Sequence, residues 1–348
     1  MPSQIIAEIS RPDLTDLPAS SSATITGVQH LASYNWLEKS VPTISVPGTP
    51  ALWSPPSVSS KLTPDSGMVY IDQNAARNPS SPLEPLFRSL YSQKPDFQIG
   101  DIDLVTDRNN IRKLLRFVKG SSTDKFEIQV EIVGSKTALF TRVEEKTTDF
   151  IQGFRGFGHN FEKAYTKGPA GSTGHHRIVS YDFGGMKMII RHETDGYIGS
   201  KTGSVAVTRP AETTDSLSDL LGSLSISKPA ATAIKTRAAS RTLDMAEVTP
   251  QLWISQTPIL VVGYHQRGVF DDVQLRNMKQ GIRNWERDNE KALRSLASLM
   301  KKIIAAAKSS SNRNAVVKYY GGTKLRIFTG KQNRALPNDL YSKWEVKK

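Results

Sequence analysis

Apolar and polar residues alternate over residues 126–133, which predicts a strand, and residues 138–143 are expected to pair with it across the turn containing Gly134. A second hairpin is predicted where residues 177–183 and 186–191 flank Gly184-Gly185, because two glycines readily supply the positive φ angles of a two-residue turn. The period changes to helical over 108–118. There Ile111, Leu114, Leu115 and Val118 form an apolar face, Arg112, Lys113 and Arg116 an exposed basic one, and Asp107 stands at the N-cap. Residues 230–237 read as a strand. Thr249-Pro250 read as the cap and first position of a short helix over 251–256, which Pro258 closes. A buried strand over 259–264 follows, then a long helix from Asp272 to about Lys308 with Leu293, Leu296, Met300 and Ile303 on one face. A last hairpin, 316–328, turns at Gly321-Gly322. These elements predict an α/β (α+β) domain, a mixed sheet flanked by helices.

Residues 1 to about 85 are rich in Ser, Pro and Thr, with turn signals at Pro55-Pro56 and Pro64-Asp65-Ser66-Gly67. Trp36, Trp53 and Tyr70 are large anchors, so this extended segment is expected to pack in part on the domain of residues 86–340. Residues 199–229 read as a low-complexity insertion with one apolar patch around Leu217 to Leu224.

Composition narrows the function classes. The 348 residues suffice for a sizeable core, and 46 Lys+Arg against 33 Asp+Glu leave a net charge of +13. Such a balance favours a polyanionic partner, nucleic acid or an anionic membrane surface. The absence of cysteine excludes disulfides, thiolate nucleophiles and cysteine zinc sites, and fits a reducing compartment. Residues 1–14 have no basic head followed by an apolar run, so no export or organelle signal is expected. The longest strongly apolar stretch, 259–264, is far below the roughly 20 residues that span a bilayer.

Acidic and basic residues then recur in a set order. Glu162 lies in Gly158-His159-Asn160-Phe161-Glu162, early in a helix opened by Gly156 and Gly158. Glu193 and Asp195 lie two apart after a predicted strand, and Ala233 and Lys235 two apart on the next, so each pair is expected to project to one side. Carboxylates from separate elements can hold Mg²⁺, and a lysine beside them can orient water or meet developing charge.

The order Arg108, Glu162, Glu193-Thr194-Asp195, Ala233-Ile234-Lys235, Gln256 and Gly263-Tyr264-His265 resembles the motif series of the decapping exoribonuclease family, which has a PD-(D/E)XK-type nuclease fold. The resemblance implies Mg²⁺- or Mn²⁺-dependent hydrolysis at RNA 5′ ends in the nucleus or cytoplasm, with an exoribonuclease as a protein partner. The alternative is a nuclease-fold RNA-binding or regulatory protein without turnover. On this likeness Arg108 contacts substrate phosphate with Arg112 and His265 near it. Glu162 and Asp195 bind metal directly, Glu193 through water, and Lys235 and Gln256 complete the catalytic set. Two positions depart from the pattern: the family has an acid where this chain has Ala233, and an arginine where it has His265. The first departure removes a metal ligand.

Other motifs carry less. Arg155-Gly156-Phe157-Gly158 approaches an RNA-recognition-motif signature, but His159 and Asn160 break it, and the segment reads better as a turn into a helix. Phe154 and Phe157 remain as rings able to stack on a base. His175, His176 and His192 are badly spaced for zinc, Asp271-Asp272 read as a helix N-terminus, and no Gly-x-Ser-x-Gly element supports serine catalysis.

Overall fold

In the computed structural model, which describes residues 4–14, 23–154, 156–199 and 230–345, both central hairpins form. Phe126–Val133 pairs antiparallel with Thr137–Val143, and Ser172–Phe183 with Met186–Glu193. The second turn runs through Gly184 and Gly185 at φ 58° and 74°, a left-handed pair that glycine adopts without strain. Asn314–Tyr319 and Lys324–Thr329 form the last hairpin.

A ten-stranded sheet joins these hairpins in the order Ile5–Ser10, Lys324–Thr329, Asn314–Tyr319, Phe126–Val133, Thr137–Val143, Leu104–Asp107, Met186–Glu193, Ser172–Phe183, Thr26–Leu37, Ile44–Ser45. Leu104–Asp107 runs parallel to both of its neighbours, so the sheet is mixed, as expected. One face is covered by the helices Arg108–Lys119 and Glu290–Ser309, whose Ile111, Leu114, Leu115, Leu293, Leu296, Met300 and Ile303 enter the main core. Each such side chain, fully buried, contributes about 1.5–3 kcal/mol. Glu84–Gln93 and the C-terminal helix Asn338–Tyr341 cover part of the other face.

A second sheet has six strands: Thr166–Lys167, Leu52–Trp53, Gly196–Ile198, Ala230–Ala238, Ile259–Gln266 and Val269–Asn277. The helix Gly158–Tyr165 packs on one side of it through Phe161, and Met245–Ser255 on the other through Val248 and Leu252. The chain passes from the large sheet to the small one between Glu193 and Gly196. That junction lies in the middle of the candidate chemistry.

Three expectations need correction. The long helix from Asp272 does not form: Val269–Asn277 is a strand paired with Ile259–Gln266, and helices run over Lys279–Asp288 and Glu290–Ser309. Asp272-Val273-Gln274-Leu275-Arg276 has a period of two, and Val273 and Leu275 meet the small sheet's core, so the neighbouring strand decided the conformation. Asp271-Asp272 is therefore not a helix N-terminus. The helix expected over 251–256 starts earlier, because the Asp244 carboxylate accepts from Ala246 N and caps it, leaving Pro250 inside.

Residues 1 to about 85 do more than run over the surface. Thr26–Leu37 is an inner strand of the large sheet, and Trp36 and Trp53 are fully buried. Residues 200–229, most of the stretch read as an insertion, lie outside the described residues, as does Arg155. Among the described residues no helix is long and apolar enough to cross a membrane.

Candidate active site

Leu104–Asp107 and Met186–Glu193 lie parallel with Asp107 level with Arg191, so the helix Arg108–Lys119 begins beside the strand end that carries Glu193. Asp107 stands at the N-cap of that helix, as expected, but its side chain makes no capping hydrogen bond. Its carboxylate instead accepts two hydrogen bonds from Arg191, at 2.6 and 2.9 Å. Arg191 is buried, and it also donates to Pro82 O at 2.7 Å and Tyr34 Oη at 3.3 Å. A buried guanidinium without a carboxylate would be costly, so the side chain at 107 is held by the ion pair and not by the helix end.

Arg108 stands half-buried at the first helical position. Burial lowers its pKa, while Asp195 and Glu193 act in the opposite sense. Arg112, one turn on, is pushed down to about 10 by burial and by Arg116, Arg108 and Arg142, and its Nε is buried without a hydrogen-bond partner. The basic face is therefore less exposed than expected. Lys113 binds Glu144 at 2.6 Å, and Arg116 pairs with Glu247.

Glu193 and Asp195 do not share a strand. Met186–Glu193 ends at Glu193, the next strand begins at Gly196, and Thr194 N donates to His175 O at 2.9 Å between them. Glu193 meets solvent at the strand end, yet the protein gathered around its carboxyl, together with Asp195, raises its pKa against Arg108, Lys235 and Arg142. Asp195 Oδ2 accepts from Ile234 N at 2.7 Å and lies 3.7 Å from Lys235 Nζ. The crossover thus ties the large sheet to the neighbouring strand Ala230–Ala238.

Glu162 arrives from the other side. Gly158–Tyr165 is capped by Asp65, whose carboxylate accepts from His159 N at 3.2 Å and Asn160 N at 2.9 Å. Phe161 lies against Gly263, where a Cβ would stand 2.6 Å from the ring, so glycine at 263 lets the helix sit directly on the strand. Burial, then Asp195, raises the Glu162 pKa well above the usual range, with Glu193 and Asp65 adding to it and Lys235 opposing it. Glu162, Glu193, Asp195 and Lys235 accordingly share one electrostatic environment.

The other expected residues sit differently. Gln256 occupies the left-handed end of Met245–Ser255, and its Nε2 donates to Trp253 O at 2.6 Å. His265 is buried against the rings of Phe157 and Phe270, with centroids 4.6 and 5.1 Å away. It borders a cavity of about 350 Å³ shared with Arg241, Tyr264 and Asp271. Ala233 packs beside Val248, Leu252, Leu260 and Val262.

Among the described residues no three His, Asp or Glu side chains are assembled as a cage for a metal. The donor chemistry is that of a hard cation, since the converging groups are carboxylates that repel one another. Sequence reasoning missed Asp65, Arg142 and Asp72. Arg142 binds Glu144 at 2.6 Å and Asp72 at 3.6 Å, and its charge reaches Glu193. Asp65 read only as part of a turn, because nothing local shows that it caps a helix 95 residues further along the chain.

Solved structures share this arrangement of elements. Rai1 of S. pombe in complex with 3′-FADP has a TM-score of 0.62 at 14% identity, covering 93% of this chain and 99% of that one. Candida albicans Rai1 in complex with pU5 and Mn²⁺ has a TM-score of 0.61 at 12% identity, covering 98% and 100%. K. lactis Dxo1 in complex with manganese has a TM-score of 0.56 at 9% identity, covering 94% and 98%. The chain has the decapping-exoribonuclease fold that its motif order resembled, and identities this low carry the fold alone. No curated protein matches it in sequence. The domain of unknown function DUF8563 matches residues 3–344, nearly the whole chain, and the chain belongs to that family.

Proposed function

We propose that this chain hydrolyses phosphate bonds at RNA 5′ ends with a divalent cation, Mg²⁺ or Mn²⁺. The observation that carries the reading is the approach of Glu162, Glu193, Asp195 and Lys235, from a helix, a strand end, a crossover and a second sheet, beside Arg108. Glu162 and Asp195 would hold the cation and Glu193 would reach it through water; the cation supplies neutralisation of phosphate charge and an activated water. Arg108 binds the phosphate and sets its position. Lys235, held near Asp195, orients the attacking water. Arg112 adds attraction from one helical turn away. Gln256 and His265 act as positioning residues, the first through its bond to the end of its own helix, the second through its aromatic neighbours. Rai1 and Dxo1 structures that hold pU5 with Mn²⁺, or manganese alone, are consistent with this chemistry. The same reading makes the nucleus or cytoplasm the compartment and an exoribonuclease the protein partner to test.

The test is release of pyrophosphate or a capped fragment from 5′-modified RNA with Mn²⁺. Asp195→Asn keeps size and hydrogen bonding but removes charge, and is expected to slow the reaction on the order of a hundredfold. A folded Asp195→Asn protein with an unaltered rate removes this assignment. One observation favours a second reading, RNA binding without turnover: Ala233 presents a methyl group, among apolar neighbours, where the family pattern has an acid.

A further inference from the structure

We propose that the two-stranded ribbon of Gly67–Tyr70 and Thr148–Ile151 is a stacking platform for the bases of single-stranded RNA at the site, with Phe150 and Phe154 as its rings and Met68 beside them. This rests on RNA being the substrate. The ribbon belongs to neither large sheet. Met68 lies directly opposite Phe150, the two are 54% and 59% exposed, and Phe154, three residues past the ribbon, is 69% exposed. Single exposed apolar residues are ordinary, but an opposed pair with a second ring close in sequence marks a binding surface.

Its position ties it to the chemistry. Asp65, two residues before the ribbon, caps the helix that carries Glu162, and its N–H donates to Gly156 O at 2.8 Å. Asp72, two residues after the strand, lies 3.6 Å from Arg142, whose charge acts on Glu193. The strand Gly67–Tyr70 therefore runs from the Glu162 side of the site to the Glu193 side. At about 3.3 Å per residue it spans roughly 13 Å, room for about four bases at roughly 3.4 Å each. Phe154 meets Phe157 edge-on at 5.4 Å, and Phe157 packs against His265, which fixes the outer ring to the wall of the small sheet. Phe157 itself is buried and offers no face to a base.

A nucleobase fits this surface better than a protein partner does. Stable protein interfaces bury about 1,200 Å² or more, beyond what two rings and one methionine present. Single-strand binding instead pairs aromatic faces with a cationic track for the phosphates. Arg108 and Arg112 lie one turn apart on the helix Arg108–Lys119, and Arg142 lies 3.6 Å from Asp72 just past the ribbon; these are the cations offered to the phosphates.

The experiment uses the full chain with chelator present, so that hydrolysis does not intervene. Binding of a 5′-phosphorylated adenosine RNA pentamer is compared with that of an abasic pentamer carrying the same phosphates. The wild type is expected to prefer the base-bearing pentamer by roughly tenfold or more. The double variant Phe150→Ala with Phe154→Ala should lose that preference while binding the abasic pentamer as before, and Phe150→Trp with Phe154→Trp should restore it. Both substituted positions are exposed, so matched melting curves verify that folding is unaffected. A double alanine variant that keeps the wild-type ratio overturns the platform and leaves RNA binding standing. A wild type that binds neither pentamer overturns the platform together with the RNA reading beneath it.

Discussion

Ala233 is the residue at which the proposed turnover is most directly tested. By alternation it shares a face with Lys235, and its methyl group rests beside Leu252, Leu260 and Val262. Ala233→Glu is expected to raise Mn²⁺ affinity and 5′-end hydrolysis together, while costing about 1–3 kcal/mol of stability because the stem and carboxylate enter an apolar neighbourhood. Calorimetric Mn²⁺ titration and single-turnover assays on both proteins check this. Efficient hydrolysis by the natural chain, unchanged in the variant, would show that the metal site does not need an acid there. His175 gives a second residue-scale test. It is buried with Nδ1 2.9 Å from Asn35 Oδ1, and burial, then Arg177 and His30, lower its pKa to about 3. A depressed folded-state pKa contributes stability that is present above the unfolded value, about 6.5, and is lost as pH falls towards 3. His175→Gln should therefore flatten the decline of stability below about pH 6.5 by up to ~1.4 kcal/mol per pH unit. Urea midpoints at several pH values measure the slope. Glu162 works in the opposite sense: its raised pKa gives stability that is present below the ordinary carboxylate range and lost as pH rises.

At the scale of elements, the helix Gly158–Tyr165 shows how far apart in sequence the parts of one site can be. Its first N–H groups are satisfied by Asp65, and its Phe161 sits on Gly263. Asp65→Ala should cost about 1 kcal/mol of stability through the lost cap and shift Glu162, so hydrolysis falls by more than the stability loss explains. Asp65→Asn keeps an accepting oxygen and should recover both. Equal hydrolysis in the alanine variant would separate Glu162 from the reaction. The hairpins and the helix Arg108–Lys119 were legible because their periods of two and 3.6 are strong and local. The strand Val269–Asn277 was not, because its short charged run takes its conformation from pairing with Ile259–Gln266.

At the scale of the whole molecule, the net charge of +13 is expected to govern RNA affinity with or without a metal. Binding measured in chelator should weaken steeply with salt, and Arg112→Gln should reduce the log–log slope by about 1. Binding that is indifferent to salt would remove nucleic acid as the partner.

The sequence by itself determined the fold class, the central hairpins with their turns, and the order Arg108, Glu162, Glu193, Asp195, Lys235, because periodicity and residue type are local properties that one chain displays directly. Only the tertiary structure decided that the chain leaves one sheet and enters the other between Glu193 and Gly196. It also decided that Asp107 is committed to Arg191, that Asp65 holds the helix of Glu162, and that Met68 and Phe150 stand exposed opposite each other on a separate two-stranded ribbon. Each of these joins residues far apart in sequence. Such pairings are set by which buried charges must find partners and which apolar faces must be covered, and those demands exist only once the sheets have come together.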